Sequence, residues 1–259
     1  MYILAIETTG AHASCAVINE YGQVHELHSD GILNHLQNSI PMISNLLRDY
    51  KLTIDDIDVI AASEGPGSFT GIRIGVATAR ALAQAAGKPV ISVPTLKTFV
   101  YHKSNTGDTT DKDDTIVCPI FDARRNQIYG GAYHNMREIV AGGAYMLEEY
   151  LCLLQRAAVK ARTNDICQLL FFGDGISQYG EKVQTWAETL PARLTVTFAD
   201  EHVRLQNASS VAKLALELYK NGEAKPYEEL HPNYMRKAEA ERQLEAGTLG
   251  IKSNESFIK

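Results

Sequence analysis

Short apolar runs separated by polar turns open the chain. Tyr2–Ile6, Ser14–Asn19 and Gln23–Ser29 each read as a strand, with Glu20-Tyr21-Gly22 turning between the last two, so the first thirty residues predict an antiparallel meander. From Leu36 the spacing changes to that of a helix face, with Leu36, Ile40, Ile43 and Leu47 apolar, although Pro41 should bend or interrupt the helix. Asp58–Ala62 is short and apolar enough for a buried strand. The segment EGPGSFTGIRIG at 64–75 then opens a long helix that stops at Gly87, ahead of Lys88-Pro89, and Val90–Val93 follows as another strand. Three strands, then helix, strand, helix and strand, predict a mixed sheet carrying helices, the layout of a ribonuclease H-like domain.

A polar stretch from Ser104 to Asp114 has no apolar period and reads as a linker, after which the same order begins again. Thr115–Phe121 is a strand ending in Asp122, as the first strand ended in Glu7. Ile128–Tyr133 is its neighbour, and Leu169–Phe172 is a buried strand closed by Gly173-Asp174-Gly175. Tyr179, Val183, Trp186 and Leu190 share one helix face. A last helix starts after Ser209 or Ser210, turns Val211, Leu214, Ala215 and Leu218 inward, and stops at Asn221-Gly222. One topology repeated with little residue identity implies duplication. The expected architecture is α/β, two ribonuclease H-like domains of the actin, hexokinase and Hsp70 class facing a cleft. Residues 1–104 would form the first and residues 105–237, with the final helix, the second. The charged stretch 238–259 lacks periodicity and is expected to be poorly ordered.

With 45% hydrophobic and 22% charged residues among 259, the composition is that of a globular chain rather than a disordered one. The net charge of −6 argues against autonomous binding of RNA, which calls for a basic face. No basic leader precedes the first strand and no apolar run reaches membrane-spanning length, which predicts a cytoplasmic protein without membrane contact. Cys15, Cys118, Cys152 and Cys167 are scattered without CxxC spacing and are expected to be buried, reduced thiols.

The candidate chemistry lies mainly where strands give way to helices. Backbone amides around Gly65, Gly67 and Ser68 can hold an anion at a helix start, but the Lys-Ser/Thr pair of a P-loop is replaced by Ile72-Arg73, and a tight turn capped by Ser68 accounts for the same residues. Gly71, Gly75, Ala79 and Ala83 form a stripe of small side chains that suits either close approach of another helix or packing on the chain's own sheet. Glu7 and Thr8 occupy the place where actin-like ATPases carry Asp and Gly. The longer carboxylate and the added side chain disfavour independent ATP hydrolysis and leave at most weak nucleotide contact, with no tightly bound cofactor. Asp122 with Arg124 and Arg125 would face the cleft as an anion or partner contact, or form an ordinary turn of solvated charges. His28 and His35 have no carboxylate pair at metal spacing and are read as structural or surface residues; no metal site is expected.

The strings ILAIETT at 3–9, HLQNSIPM at 35–42, EGPGSFTGIRIGVATARALA at 64–83, GKPVISVPTL at 87–96, FDARRNQIYGGAY at 121–133 and HPNYMRK at 231–237 resemble the TsaB, or YeaZ, family. That resemblance implies a non-catalytic partner of TsaD, the subunit that transfers a threonylcarbamoyl group to tRNA adenosine, with a small ATPase, TsaE, completing the set. It also implies a helical interface, placed here on Leu36, Ile40, Ile43 and Leu47 of one helix and Phe69, Gly71, Ile72, Gly75, Ala79 and Ala83 of the next, which would also support a weak competing homodimer. TsaD-like relatives follow Gly-Lys-Pro with a His-x-x-x-His metal site. Aligned on Gly87-Lys88-Pro89, those places hold Thr95 and Phe99, neither an imidazole. Two enzyme readings compete: an actin-like ATPase or small-molecule kinase working in the cleft, which metal-dependent ATP turnover would favour, and a glycoprotease-like metallopeptidase, which bound zinc or iron would favour.

Overall fold

The computed structural model describes residues 1–29, 35–102, 115–161 and 167–235. Two five-stranded mixed sheets form the frame. The first contains β1 (Tyr2–Glu7), β2 (Ser14–Asn19), β3 (Val24–His28), β4 (Val59–Gly65) and β5 (Val90–Pro94) in the order β3-β2-β1-β4-β5. The second contains β6 (Thr115–Asp122), β7 (Gln127–His134), β8 (Arg137–Met146), β9 (Cys167–Phe172) and β10 (Leu194–Phe198) in the order β8-β7-β6-β9-β10. In each, three antiparallel strands continue into two parallel ones, so the sheets share one topology. This is a duplicated ribonuclease H-like arrangement, as the strand pattern predicted.

Helices α1 (His35–Asp49) and α2 (Phe69–Ala86) lie on one face of the first sheet, burying Met42, Ile43, Leu46, Ile72, Val76 and Ala79 with Leu4, Ile6 and Val17. α1 runs through Pro41 instead of breaking; the ring lies on the exposed side, and the apolar face stays continuous. α2 starts on the Ser68 cap, whose hydroxyl accepts the Gly71 N–H at 3.2 Å, and ends at Gly87 with φ of 64°. In the second lobe α4 (Leu147–Ala161) and α5 (Gly175–Ala187) cover one face, and neither β8, α4 nor β10 was predicted.

The outer covers are exchanged between lobes. α6 (Ala208–Lys220) packs Val211, Ala212, Leu214 and Ala215 on Ile3, Ala5, Ala16 and Ile91 of the first sheet, so the final helix, expected with the second domain, belongs to the packing of the first. It begins earlier than expected, because Asn207 accepts the Ser210 N–H at 2.9 Å while Ser14 and Glu26 take the Ala208 and Ser209 N–H groups. Reciprocally, α3 (Thr95–Thr98) and the 3₁₀ turn Phe99–Tyr101 send Leu96 and Phe99 against Val117, Phe121, Leu170 and Phe172 of the second sheet. The 104–114 linker and the 238–259 tail lie outside the described residues. Among the described residues no helix is long and apolar enough to cross a membrane.

Candidate functional site

Glu7 ends β1 fully buried, its carboxylate facing its own lobe. It accepts the Thr9 N–H at 2.5 Å and the Thr9 hydroxyl at 2.6 Å on one oxygen and the Ser63 hydroxyl on the other. Burial pushes its carboxyl above the ordinary range, and the hydroxyl bonds from Ser63 and Thr9 oppose that shift. Thr8 is equally enclosed, its hydroxyl donating to the Gly71 carbonyl at 2.7 Å.

These contacts fix the role of the small-residue stripe. A Cβ on Gly71 would stand 1.9 Å from the Thr8 carbonyl oxygen, and one on Gly75 would stand 2.4 Å from the Thr8 hydroxyl. Gly71, Gly75, Ala79 and Ala83 therefore face the sheet, where they let α2 sit on the end of β1, and Ile72 joins them in the core. The expectation that this stripe is a subunit surface is corrected, since packing inside the lobe uses it up. Ile43 and Leu47 of α1 are buried in the same core. The outward positions are Ile40, which is 51% exposed, with Pro41 and Ser44 on α1 and Arg73, Ala77 and Ala81 on α2; Phe69 is half-buried. Leu36 lies in α1, with its side chain outside the described set.

A cleft of about 410 Å³ separates the lobes. Thr9, Gly67, Ser68 and Phe69 line it from the first lobe, Phe121, Asp122, Arg124, Tyr129 and Asp174 from the second, and Gln206 from the returning chain. Of the predicted contacts it therefore gathers Gly67, Ser68, Asp122 and Arg124. Glu7, Thr8 and Gly65 do not line it; Gly65, at φ of 119°, is closed off by Asn233, whose carbonyl lies 2.6 Å from where a Cβ would stand.

The second wall is acidic. Asp122 accepts the Arg124 N–H at 2.8 Å and the Tyr179 hydroxyl at 3.2 Å, while Asp174 accepts the Asp122 N–H at 3.2 Å. Desolvation raises the Asp174 carboxyl, and the neighbouring Asp122 charge raises it further. Arg124 pairs with Asp122 at 3.3 Å from an 87% exposed side chain, a geometry worth little against solvent. Arg124, Arg125 and Asn126 are all left-handed, with φ of 64°, 56° and 59°. Two carboxylates and one solvated arginine make a poor seat for a polyphosphate. Asp174, Tyr129 and Gln206 were not singled out from the sequence; Gly173-Asp174-Gly175, noted only as a turn, was the available signal for the first.

The two places aligned with metal-binding histidines are core positions. Thr95 is fully buried, its hydroxyl accepting the Gly65 N–H at 3.2 Å, and Phe99 stacks on His102 at 4.4 Å with Phe121 and Phe172 around it. A hydroxyl and a phenyl ring spent in this way do not fit a metal. Among the described residues no three His, Cys, Asp or Glu side chains are arranged to hold one. His28 forms a 3.4 Å pair with Glu26, and His35 lies in α1 with its side chain outside the described set. Cys15, Cys118 and Cys167 are buried free thiols, whereas Cys152 is exposed.

The sequence profile of the family TsaD, tRNA N6-adenosine threonylcarbamoyltransferase, matches residues 19–244. The tRNA threonylcarbamoyladenosine biosynthesis protein TsaB of Bacillus subtilis strain 168 is 30% identical over 245 residues, covering 93% of this chain and 96% of that protein. The protein of the same name from Escherichia coli K12 is 29% identical, covering 94% of this chain and 98% of its own length. Among solved structures, YeaZ from Pseudomonas aeruginosa superposes with a TM-score of 0.67 at 25% identity, over 90% of this chain and 99% of that one. Matched nearly end to end by these proteins and spanned by the broader TsaD profile, this chain belongs to the TsaB (YeaZ) family.

Proposed function

We propose that this protein is a non-catalytic subunit that docks on a TsaD-type threonylcarbamoyltransferase and supports formation of threonylcarbamoyladenosine on tRNA. The observation that carries the reading is the pair Thr95 and Phe99, which stand in the histidine places of the catalytic relative and are fully buried. The inward-turned Glu7 and the acidic wall of Asp122 and Asp174 weigh against the cleft as an ATPase or kinase site, and leave at most weak nucleotide contact. The duplicated lobes fit the actin, hexokinase and Hsp70 class. A TsaE-like ATPase would complete the assembly, and tRNA would be engaged only within it.

The docking surface is assigned to the outer faces of α1 and α2. Ile40 is a large exposed apolar side chain there, and Ala77 and Ala81 leave a low surface that another helix can approach. The same face would support a weak two-fold homodimer that competes with the heterodimer. The experiment is binding to a purified TsaD-type subunit, and tRNA modification, by Ile40→Asp and Ala77→Glu. Both variants are expected to fold as the parent does, to lose about tenfold or more in partner affinity, and to lose modification in step. Parent-like affinity in both would remove this face from consideration.

A further inference from the structure

Arg73 occupies the outer side of α2 one turn before Ala77. Its guanidinium carbon lies 4.0 Å from the centre of the Phe69 ring and 5.6 Å from that of Tyr234, and its Nε–H donates to the Tyr234 hydroxyl oxygen at 2.8 Å. The two rings stack at 4.5 Å. Tyr234 is brought there from the far end of the described chain, for the Asn233 N–H donates to the Glu64 carbonyl at 2.8 Å and its side-chain amide to the Glu64 carboxylate at 3.3 Å. Two aromatic rings and one hydrogen bond thus hold an exposed cation that a surface arginine would ordinarily leave free to move.

The arrangement uses Nε and leaves the fork. The two terminal nitrogens of Arg73 have no acceptor among the described residues, and no Asp or Glu among them pairs with it. A planar pair of N–H groups with its orientation already set matches an oxyanion that accepts two parallel hydrogen bonds, a carboxylate or a phosphate, and on a face that docks a protein subunit the carboxylate is the one a side chain supplies. Because the side chain is ordered before binding, little further rotamer freedom is lost when the carboxylate arrives. Phe69 lines the interlobe cleft but Arg73 does not, which sets the fork with the outer face of α2 rather than with a cleft ligand.

We propose that Arg73, held by Phe69 and Tyr234, is a preformed anchor for an Asp or Glu side chain of the TsaD-type partner. The inference rests on the docking reading above and names the chemistry that the partner brings to it. Arginine and tyrosine are among the residue types enriched where measured interface energies concentrate.

The test measures affinity of the full-length chain for the purified TsaD-type subunit at low and moderate salt, using Arg73→Gln, Arg73→Lys, Tyr234→Phe and the docking variant Ile40→Asp. Arg73→Gln is expected to weaken binding about tenfold or more, mainly through faster dissociation, and to flatten the salt dependence. Arg73→Lys should recover only part of the loss, since an ammonium cannot make the planar fork, and Tyr234→Phe should lose less than Arg73→Gln. If Arg73→Gln binds like the parent while Ile40→Asp does not, the anchor is refuted and the docking face stands. If Ile40→Asp also binds like the parent, both fall. Titration with inorganic phosphate distinguishes a small-anion site: phosphate affinity lost in Arg73→Gln with partner affinity intact overturns the proposal. Residues 236–259 include Glu239, Glu241 and Glu245. Should their deletion lower the melting temperature of the parent but not of Arg73→Gln, with partner affinity again intact, the carboxylate is the chain's own and the proposal is likewise overturned.

Discussion

Gly71→Ala separates the packing role of the α2 stripe from any surface role, because the two readings predict opposite signs. On an exposed helix face the added methyl would stabilise by about 1 kcal/mol, the ordinary advantage of Ala over Gly. Here it would stand 1.9 Å from the carbonyl oxygen of Thr8, a buried backbone atom one residue beyond the end of β1, so helix and chain must part by roughly 1 Å or more. Overpacking of this kind costs about 1–3 kcal/mol, and at this overlap the upper end applies. Moving α2 outward also stretches the 2.7 Å bond from the Thr8 hydroxyl to the Gly71 carbonyl, worth about 1 kcal/mol. After subtracting the propensity gain, the variant should be less stable by about 2–3 kcal/mol, or about 4–12 °C in melting temperature for a chain of this size. The assay is thermal unfolding followed by circular dichroism, with the exposed Ala77→Gly as the helix control, expected to lose only about 1 kcal/mol. A Gly71→Ala protein that melts at or above the parent temperature would refute the inward assignment of the whole stripe.

Two pH predictions follow from buried groups of opposite sign. Glu7 has a carboxyl pKa raised above its ordinary 4.5, so the stability it contributes is full below that value and declines as pH rises through the folded one; Glu7→Gln should lack this decline. Urea unfolding of parent and variant from pH 4.5 upward measures it, and parallel profiles would reject it. His102 is fully buried, and desolvation brings its imidazole down to about 4 from 6.5. Its contribution is present above 6.5 and fades as pH falls toward about 4, since the unfolded chain takes up the proton first. His102→Gln should be less stable throughout but lack that part of the slope, and a slope equal to the parent's would sink the assignment. Because the two effects oppose each other in the overlapping range, only the single-variant differences are diagnostic.

Much of the frame was legible because each strand at the centre of a sheet is a compact apolar run with turn residues at its ends. The first lobe could be read almost element by element for that reason. β8 escaped because Gly142 and Gly143 and a broken burial pattern dilute its period, whereas α4 carries Leu147, Tyr150, Leu151, Leu154 and Ala158 at helical spacing and was open to prediction. The wrong face of α2 was chosen for a physical reason. Gly71, Gly75, Ala79 and Ala83 on one side and Ala77, Ala81 and Ala85 on the other are both rows of small residues, and only the approach of Thr8 decides which turns inward. Asp174 beside Asp122, and Tyr234 over Phe69, are products of chain return across 52 and 165 residues, about which local pattern is silent.

The exchanged covers of the two sheets bear on how the protein is made. When β5 has left the ribosome, the face of the first sheet formed by Ile3, Ala5, Ala16 and Ile91 has no lid, for α6 is encoded more than a hundred residues later. At ordinary elongation rates of about 5–20 residues per second, that face waits roughly 6–20 s. Until α6 is made, the nascent first lobe therefore leaves that apolar face without its native cover. Gene truncations placed between the lobes should yield two insoluble halves rather than two domains, and a premature stop before Ala208 should be as damaging as one in the middle of the chain.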